Sequence, residues 1–159
     1  MADQRRADET RQVLAGLDAS AAEYAAQFVD VLLSAAPQLG VGDGHLQPCP
    51  EGLDTRWRLD GVLQPVGRFR RGAKSDVIAR LKVLAELLTY RNDVPQEGRI
   101  RGTGQEVEMR VSTFPTLHGE RAVVRLFAAE GRYLYVEDLG LPAEVAASLG
   151  RLLVETSGA

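Results

Sequence analysis

Apolar residues recur along the chain with two periods. In "DASAAEYAAQFVDVLLSAAPQLG" the apolar positions Ala25, Phe28, Val29, Leu32 and Ala36 fall three and four apart, which predicts one stripe of an amphipathic helix. Asp18 or Ser20 supplies the capping oxygen in this reading, and Pro37 and Gly40 end the helix. A second helical stripe, Val77, Ile78, Leu81, Leu84, Ala85 and Leu88, predicts a helix through "SDVIARLKVLAELLTYRN" with Ser75 as its N-cap. Between and after these helices the period drops to two. In "LDTRWRLDG", Thr55, Trp57 and Leu59 share one face, and Arg56, Arg58 and Asp60 the other. Val107, Met109, Val111 and Thr113 alternate with Glu108, Arg110 and Ser112 in the same way.

Turn residues punctuate these strands. Asp60-Gly61 predicts a tight hairpin into "VLQPV", and Gly102-Thr103-Gly104 a second turn before the strand that carries Arg110. "CPEG" joins "DGHLQP" to the Trp57 strand. The basic, glycine-containing "GRFRRGAK" reads as a loop. "RAVVRLFAA" reads as a returning strand, "LYVEDLGL" as a short extended piece, and a last helix starts near Pro142. Residues 1–17 are polar and weakly periodic, a frayed helix or a linker. Residues 18–159 read as one α+β domain with a mainly antiparallel sheet and flanking helices.

Composition narrows the classes. The 159 residues carry a net charge of −3, against a nucleic-acid binder driven by bulk positive charge. Arg56 and Arg58 flank Trp57, but the alternation turns Trp57 away from them and into the core, so no stacking platform is expected. With one cysteine and two histidines, His45 and His118, neither a disulfide framework nor a metal site is expected. Asp43 and His45 sit two apart on one strand face, within hydrogen-bonding reach of each other. Asp60 and Glu120 read as turn residues, and Ser112 with His118 shows no mark of an activated nucleophile. The start is charged and no apolar run spans a bilayer, so a cytoplasmic location is the default, with attachment at the inner membrane only through partners.

The chemistry that remains is cationic. Arg110, Arg121 and Arg125 lie on one predicted hairpin, and Arg99 precedes it. A guanidinium is permanently charged and binds phosphate or carboxylate oxygens through a planar fork. The plain alternative is that these are sheet-surface arginines paired with Glu106, Glu108 and Glu120.

Five motifs in order carry a resemblance. Asp43, His45 and Pro48 match a pattern Ser-Asp-Ile-His-Ile-Glu-Pro. Arg56, Arg58, Asp60, Gly61, Val62 and Leu63 match Arg-Tyr-Arg-Ile-Asp-Gly-Val-Leu. Arg80 to Val83 match Arg-Leu-Lys-Val, and Pro95, Gln96, Gly98 and Arg99 match Pro-Gln-Asp-Gly-Arg. Arg110 to Thr113, Pro115, Gly119 and Glu120 match Arg-Val-Ser-Thr-x-Pro-x-x-x-Gly-Glu. From about Ala26 onward the chain resembles the domain that precedes the motor in type II secretion and type IV pilus assembly ATPases. It departs at Gly44, Gln47 and Glu97 and in the short hairpin between Arg99 and Arg110.

The resemblance implies a PAS-like fold. It also implies a regulatory and oligomerising role, in which arginines reach a nucleotide and the neighbouring subunit of a hexameric ring. Arg99 and Arg110 are the first candidates and Arg125 the next; Asp43, His45, Arg58, Asp60, Gly61, Gly98, Gly119 and Glu120 are the structural motif residues. The implied partners are the family's motor domain, adjacent subunits and the inner-membrane platform of a secretion or pilus system, with no nucleic acid. The sequence holds no G-x-x-x-x-G-K-[ST] phosphate loop. No ATP hydrolysis is therefore expected from this chain alone, and ATP with Mg²⁺ is expected only where a motor domain is supplied. The alternative is a free-standing PAS-like ligand-binding or protein-interaction module, which needs a cavity between sheet and helices. An independent enzyme acting on a phosphorylated substrate ranks last, for want of a base or nucleophile.

Overall fold

The computed structural model describes residues 2–73, 76–100, 107–127 and 135–155. The chain divides into two compact units, Met1–Phe127 and Ala128–Ala159.

The first unit runs α1 (Ala2–Gly16), α2 (Tyr24–Gln38), β1 (Val41–Cys49), β2 (Gly52–Leu59), β3 (Val62–Phe69), α3 (Val77–Leu84), β4 (Gln96–Ile100), β5 (Glu108–Thr116) and β6 (Gly119–Phe127). The strands form one antiparallel sheet in the order β3-β2-β1-β6-β5-β4. It is an α+β fold built on a sheet, as the alternation predicts. The period-two residues face the helices: Leu46, Thr55, Trp57, Val111, Thr113, Ala122 and Val124 are buried. The apolar ones among them join the α2 stripe, Ala25, Phe28, Val29, Leu32 and Ala36, in a single core. Trp57 is thus inside the protein and offers no face to a base.

Several elements differ from their sequence reading, each for a local reason. Of the two readings of the first residues, helix or linker, 2–16 take the helix, and what the sequence did not show is that its Leu14 is buried in the core. Arg11 fastens it to the sheet edge by donating to the carbonyls of Val66 and Pro65 on β3. Helix α2 begins at Tyr24 rather than at Asp18 or Ser20. Asp18 closes a turn of its own by accepting from the backbone N–H of Ser20 at 2.9 Å and its hydroxyl at 2.7 Å.

Strand β3 continues through Gly67 and Arg68 to Phe69, so the first three residues of the basic "loop" are strand. Phe69 packs edge-on against Phe28 at 5.2 Å, and that burial draws the strand in. Helix α3 is capped by Asp76, whose carboxylate accepts from Ala79 N–H at 2.9 Å; Ser75 lies outside the described residues. The helix ends at Leu84, short of Leu88, which is exposed. The chain leaves it by the left-handed residue Glu86, with Leu87 N–H donating to Lys82 O and Glu86 N–H to Val83 O. This is the bond pair of a Schellman stop.

The second unit contains a 3₁₀ turn (Val136–Leu139) where an extended piece was expected, and α4 (Ala143–Val154) preceded by Pro142 as expected. The turn at Gly102-Thr103-Gly104 and the carboxylate of Glu106 lie outside the described residues. No helix among the described residues is long and apolar enough to cross a membrane.

Candidate functional site

Residues opposite one another on adjacent strands project from the same face. On the sheet face away from the core, one such row crosses all six strands: Leu63, Arg58, Asp43, Arg125, Arg110 and Arg99. Four of its six members are arginines, and three of them, Arg125, Arg110 and Arg99, are consecutive. Their side chains are 63%, 41% and 63% exposed. Like charges directly opposite repel, so a row of this kind needs carboxylates beside it.

Two carboxylates do this in different ways. Asp43, buried in the row, accepts from Arg125 Nε at 2.8 Å and from Arg58 Nε at 3.0 Å. Burial pushes the Asp43 carboxyl upward, but the two guanidiniums outweigh that and hold it below the usual carboxylate range. Arg58 is further tied by Nη1 to the carbonyl of Gly61 at 3.0 Å. That carbonyl belongs to the Asp60-Gly61 turn, where both residues have positive φ, 47° and 79°. This matches the hairpin geometry that the dipeptide predicts. Glu108 is the second carboxylate. Its Oε1 lies 3.4 Å from Arg99 Nε and 3.4 Å from Arg110 Nε. Arg110 also lies 4.8 Å above the Phe127 ring, and Arg121 5.0 Å above that of Phe114.

The expected Asp43–His45 contact is replaced by the Asp43–arginine bonds. His45 Nε2 is buried with no hydrogen-bond partner among the described residues. Its pKa is lowered, first by burial and then by the charges of Arg58, Arg121 and Arg125, with Asp43 opposing.

Glu120 also differs from its reading. Among the described residues it pairs with no arginine and lies instead under the sheet end, against Lys82 of α3. The Lys82 ammonium is fully buried. It donates to Glu120 Oε2 at 2.8 Å and Oε1 at 3.0 Å, to Arg91 O at 2.7 Å and to Asn92 Oδ1 at 3.1 Å. Lys82 carried a motif match but no assigned role. Its place was readable, since it lies four residues after Ile78 and one after Leu81, on the apolar stripe. The pair ties α3 and the segment after it to the start of β6. Gln96 ties the same segment to β4, donating to Leu88 O and Arg91 O and accepting from Leu88 N–H. Gly98 completes the fit, because a Cβ there would lie 2.3 Å from Ala85 O. Gly119 follows the turn between β5 and β6, where Arg71 Nη1 donates to His118 O at 2.9 Å. The motif residues therefore divide. Asp43, Arg58, Arg99, Arg110 and Arg125 meet in the row, Asp60 and Gly61 make the turn beside Arg58, and Gly98 and Glu120 brace the β4 and β6 ends. His45 sits one row away.

Among the described residues no group of three or more His, Cys, Asp or Glu side chains could hold a metal ion. A recess of about 410 Å³ lies at the margin of the helix layer, lined in part by Leu14, Leu17, Asp18, Tyr24, Phe69 and Arg70.

This α+β fold, with its motif residues gathered around one sheet, belongs with a known family of proteins. The chain belongs to the type II/IV secretion system protein family, whose model matches residues 18–159. It is 33% identical over 156 residues to the type II secretion system protein HxcR of Pseudomonas aeruginosa, covering 97% of this chain and 33% of that protein. It is 36% identical over 134 residues to the type II secretion system ATPase E of Vibrio cholerae, covering 83% and 27%. The type IV pilus assembly ATPase TfpB of Acinetobacter baylyi is 37% identical over 121 residues, covering 74% and 21%. The chain thus spans between a fifth and a third of these relatives' length.

Proposed function

We propose that this chain is a regulatory, subunit-contacting domain of a secretion or pilus ATPase that supplies arginines to a nucleotide held elsewhere. The observation that carries the reading is the run of Arg125, Arg110 and Arg99 in register on the open sheet face. Arg125 is held by its Nε on Asp43. Arg99 and Arg110 share one exposed carboxylate at long range. A charge supplied from one domain to phosphates on another couples the position of the first to the chemistry of the second.

Two of the relatives described above are named as ATPases. These 159 residues contain no phosphate loop, so on their own they lack the backbone cradle and the lysine that hydrolysis needs. In this reading ATP and Mg²⁺ are bound by a motor domain of the family. The remaining partners are neighbouring subunits of a hexameric ring and an inner-membrane platform, met from the cytoplasmic side.

The test is Arg110→Ala in the chain joined to a motor domain of the family. ATP turnover falls by about tenfold or more, since one lost charge-stabilising donor typically costs at least that. The same substitution in the isolated chain leaves the thermal midpoint nearly unchanged, because the side chain is exposed. Undiminished turnover would remove Arg110 from the site.

A further inference from the structure

We infer that Glu108 is an internal competitor for the anion, occupying the place between Arg99 and Arg110 that a phosphate oxygen takes on binding. The inference rests on the reading above and adds how the site chooses its ligand. One oxygen, Glu108 Oε1, serves two guanidiniums from adjacent strands, at 3.4 Å each. Charge-assisted bonds are ordinarily nearer 2.7–2.9 Å, so both contacts are slack. Among the described residues neither Arg99 nor Arg110 has another ion pair. The Glu108 side chain is 45% exposed and free to swing out.

Asp43, in the same row, is the contrast. It is buried, holds two arginines at 2.8 and 3.0 Å, and is a fixed post. Glu108 therefore does what Asp43 does not: it neutralises the pair in the free protein and leaves when a better anion arrives.

Selectivity follows from charge. A monocarboxylate gains little by replacing Glu108, because one negative charge is exchanged for another. A multiply charged phosphate chain gains the surplus and can span both guanidiniums. The site is thus set for polyphosphate-bearing ligands over singly charged ones.

The experiment uses the 159-residue chain and inorganic tripolyphosphate, titrated by calorimetry. Glu108→Gln, which keeps the shape and removes the charge, tightens binding about three- to tenfold, the effect of relieving two exposed ion pairs. Glu97→Gln is the control. Glu97 is exposed and pairs across with Ser112 on the row next to Arg99, so the same charge is removed without vacating the shared place. Its gain is less than half as large. Arg110→Ala abolishes the gain from Glu108→Gln. Equal gains for the two glutamates, or no tripolyphosphate binding by Glu108→Gln at millimolar ligand, overturns the inference. Should Arg110→Ala impair turnover with a motor domain while Glu108→Gln gives no tightening, only the role of Glu108 falls. Unchanged turnover with Arg110→Ala defeats the functional reading itself.

Discussion

Replacing Lys82 with Met tests the internal scaffold on which the arginine row stands. The substitution keeps the length of the side chain and removes its charge. In the native protein the ammonium is fully buried, and both Glu120 oxygens accept from it, at 2.8 and 3.0 Å. After Lys82→Met the Glu120 carboxylate is left buried without its cation. Removing one partner of such a pair costs about 3–5 kcal/mol. The other two acceptors lose less. Arg91 O keeps a donor in Gln96 Nε2 at 2.7 Å, and Asn92 is exposed, so water replaces the lysine. For a unit of about this size each kcal/mol moves the midpoint by roughly 3–5 °C, so the expected drop is about 10–20 °C.

The assay is urea or thermal unfolding of the chain, read by circular dichroism. The double variant Lys82→Met, Glu120→Leu removes both charges and recovers most of the loss, with a coupling energy of at least about 2 kcal/mol. A single variant within about 1 kcal/mol of the native protein would refute the reasoning. So would a double variant as unstable as the sum of its parts.

Two further outcomes follow from other contacts. Gly98→Ala destabilises by about 2–3 kcal/mol in urea unfolding, because the added methyl meets the Ala85 carbonyl at 2.3 Å and backbone cannot move aside cheaply; a loss below about 0.5 kcal/mol would show that the segment after α3 yields. His45→Gln flattens the pH dependence of stability. The folded pKa of His45 lies below its unfolded value of 6.5, through burial and then Arg58, Arg121 and Arg125. Between the two values the unfolded chain binds more protons, so native stability falls as pH drops below about 6.5 and is level above it. Identical slopes for native protein and variant between about pH 5 and 7.5 would contradict this.

Much of the fold was legible from residues close in sequence. The α2 stripe, the Thr55–Trp57–Leu59 alternation and the Asp60-Gly61 turn all stand as read, because helix period, strand period and tight-turn geometry are local properties. The limits of α3 and β3 were not legible. The Schellman stop places Glu86, a residue with no preference for the left-handed region, where glycine would have marked the end. Phe69 extends β3 because Phe28, from another element, is there to receive it.

The sequence by itself determined the α+β class, the buried and exposed faces of the strands that carry Trp57 and Arg110, and a motif order that resembles the secretion and pilus ATPases. It also singled out Arg99, Arg110 and Arg125 as candidate anion-binding cations. Tertiary structure alone decided which charges meet. Period two assigns a face but not a neighbour, and only the strand order β3-β2-β1-β6-β5-β4 sets Asp43 against Arg125, 82 positions away. The same closure sends Glu120 beneath the sheet to a buried lysine and leaves Glu108 to face two arginines. Electrostatic partnership depends on distances of a few ångströms, and across strands far apart in sequence those distances exist only once the sheet has formed.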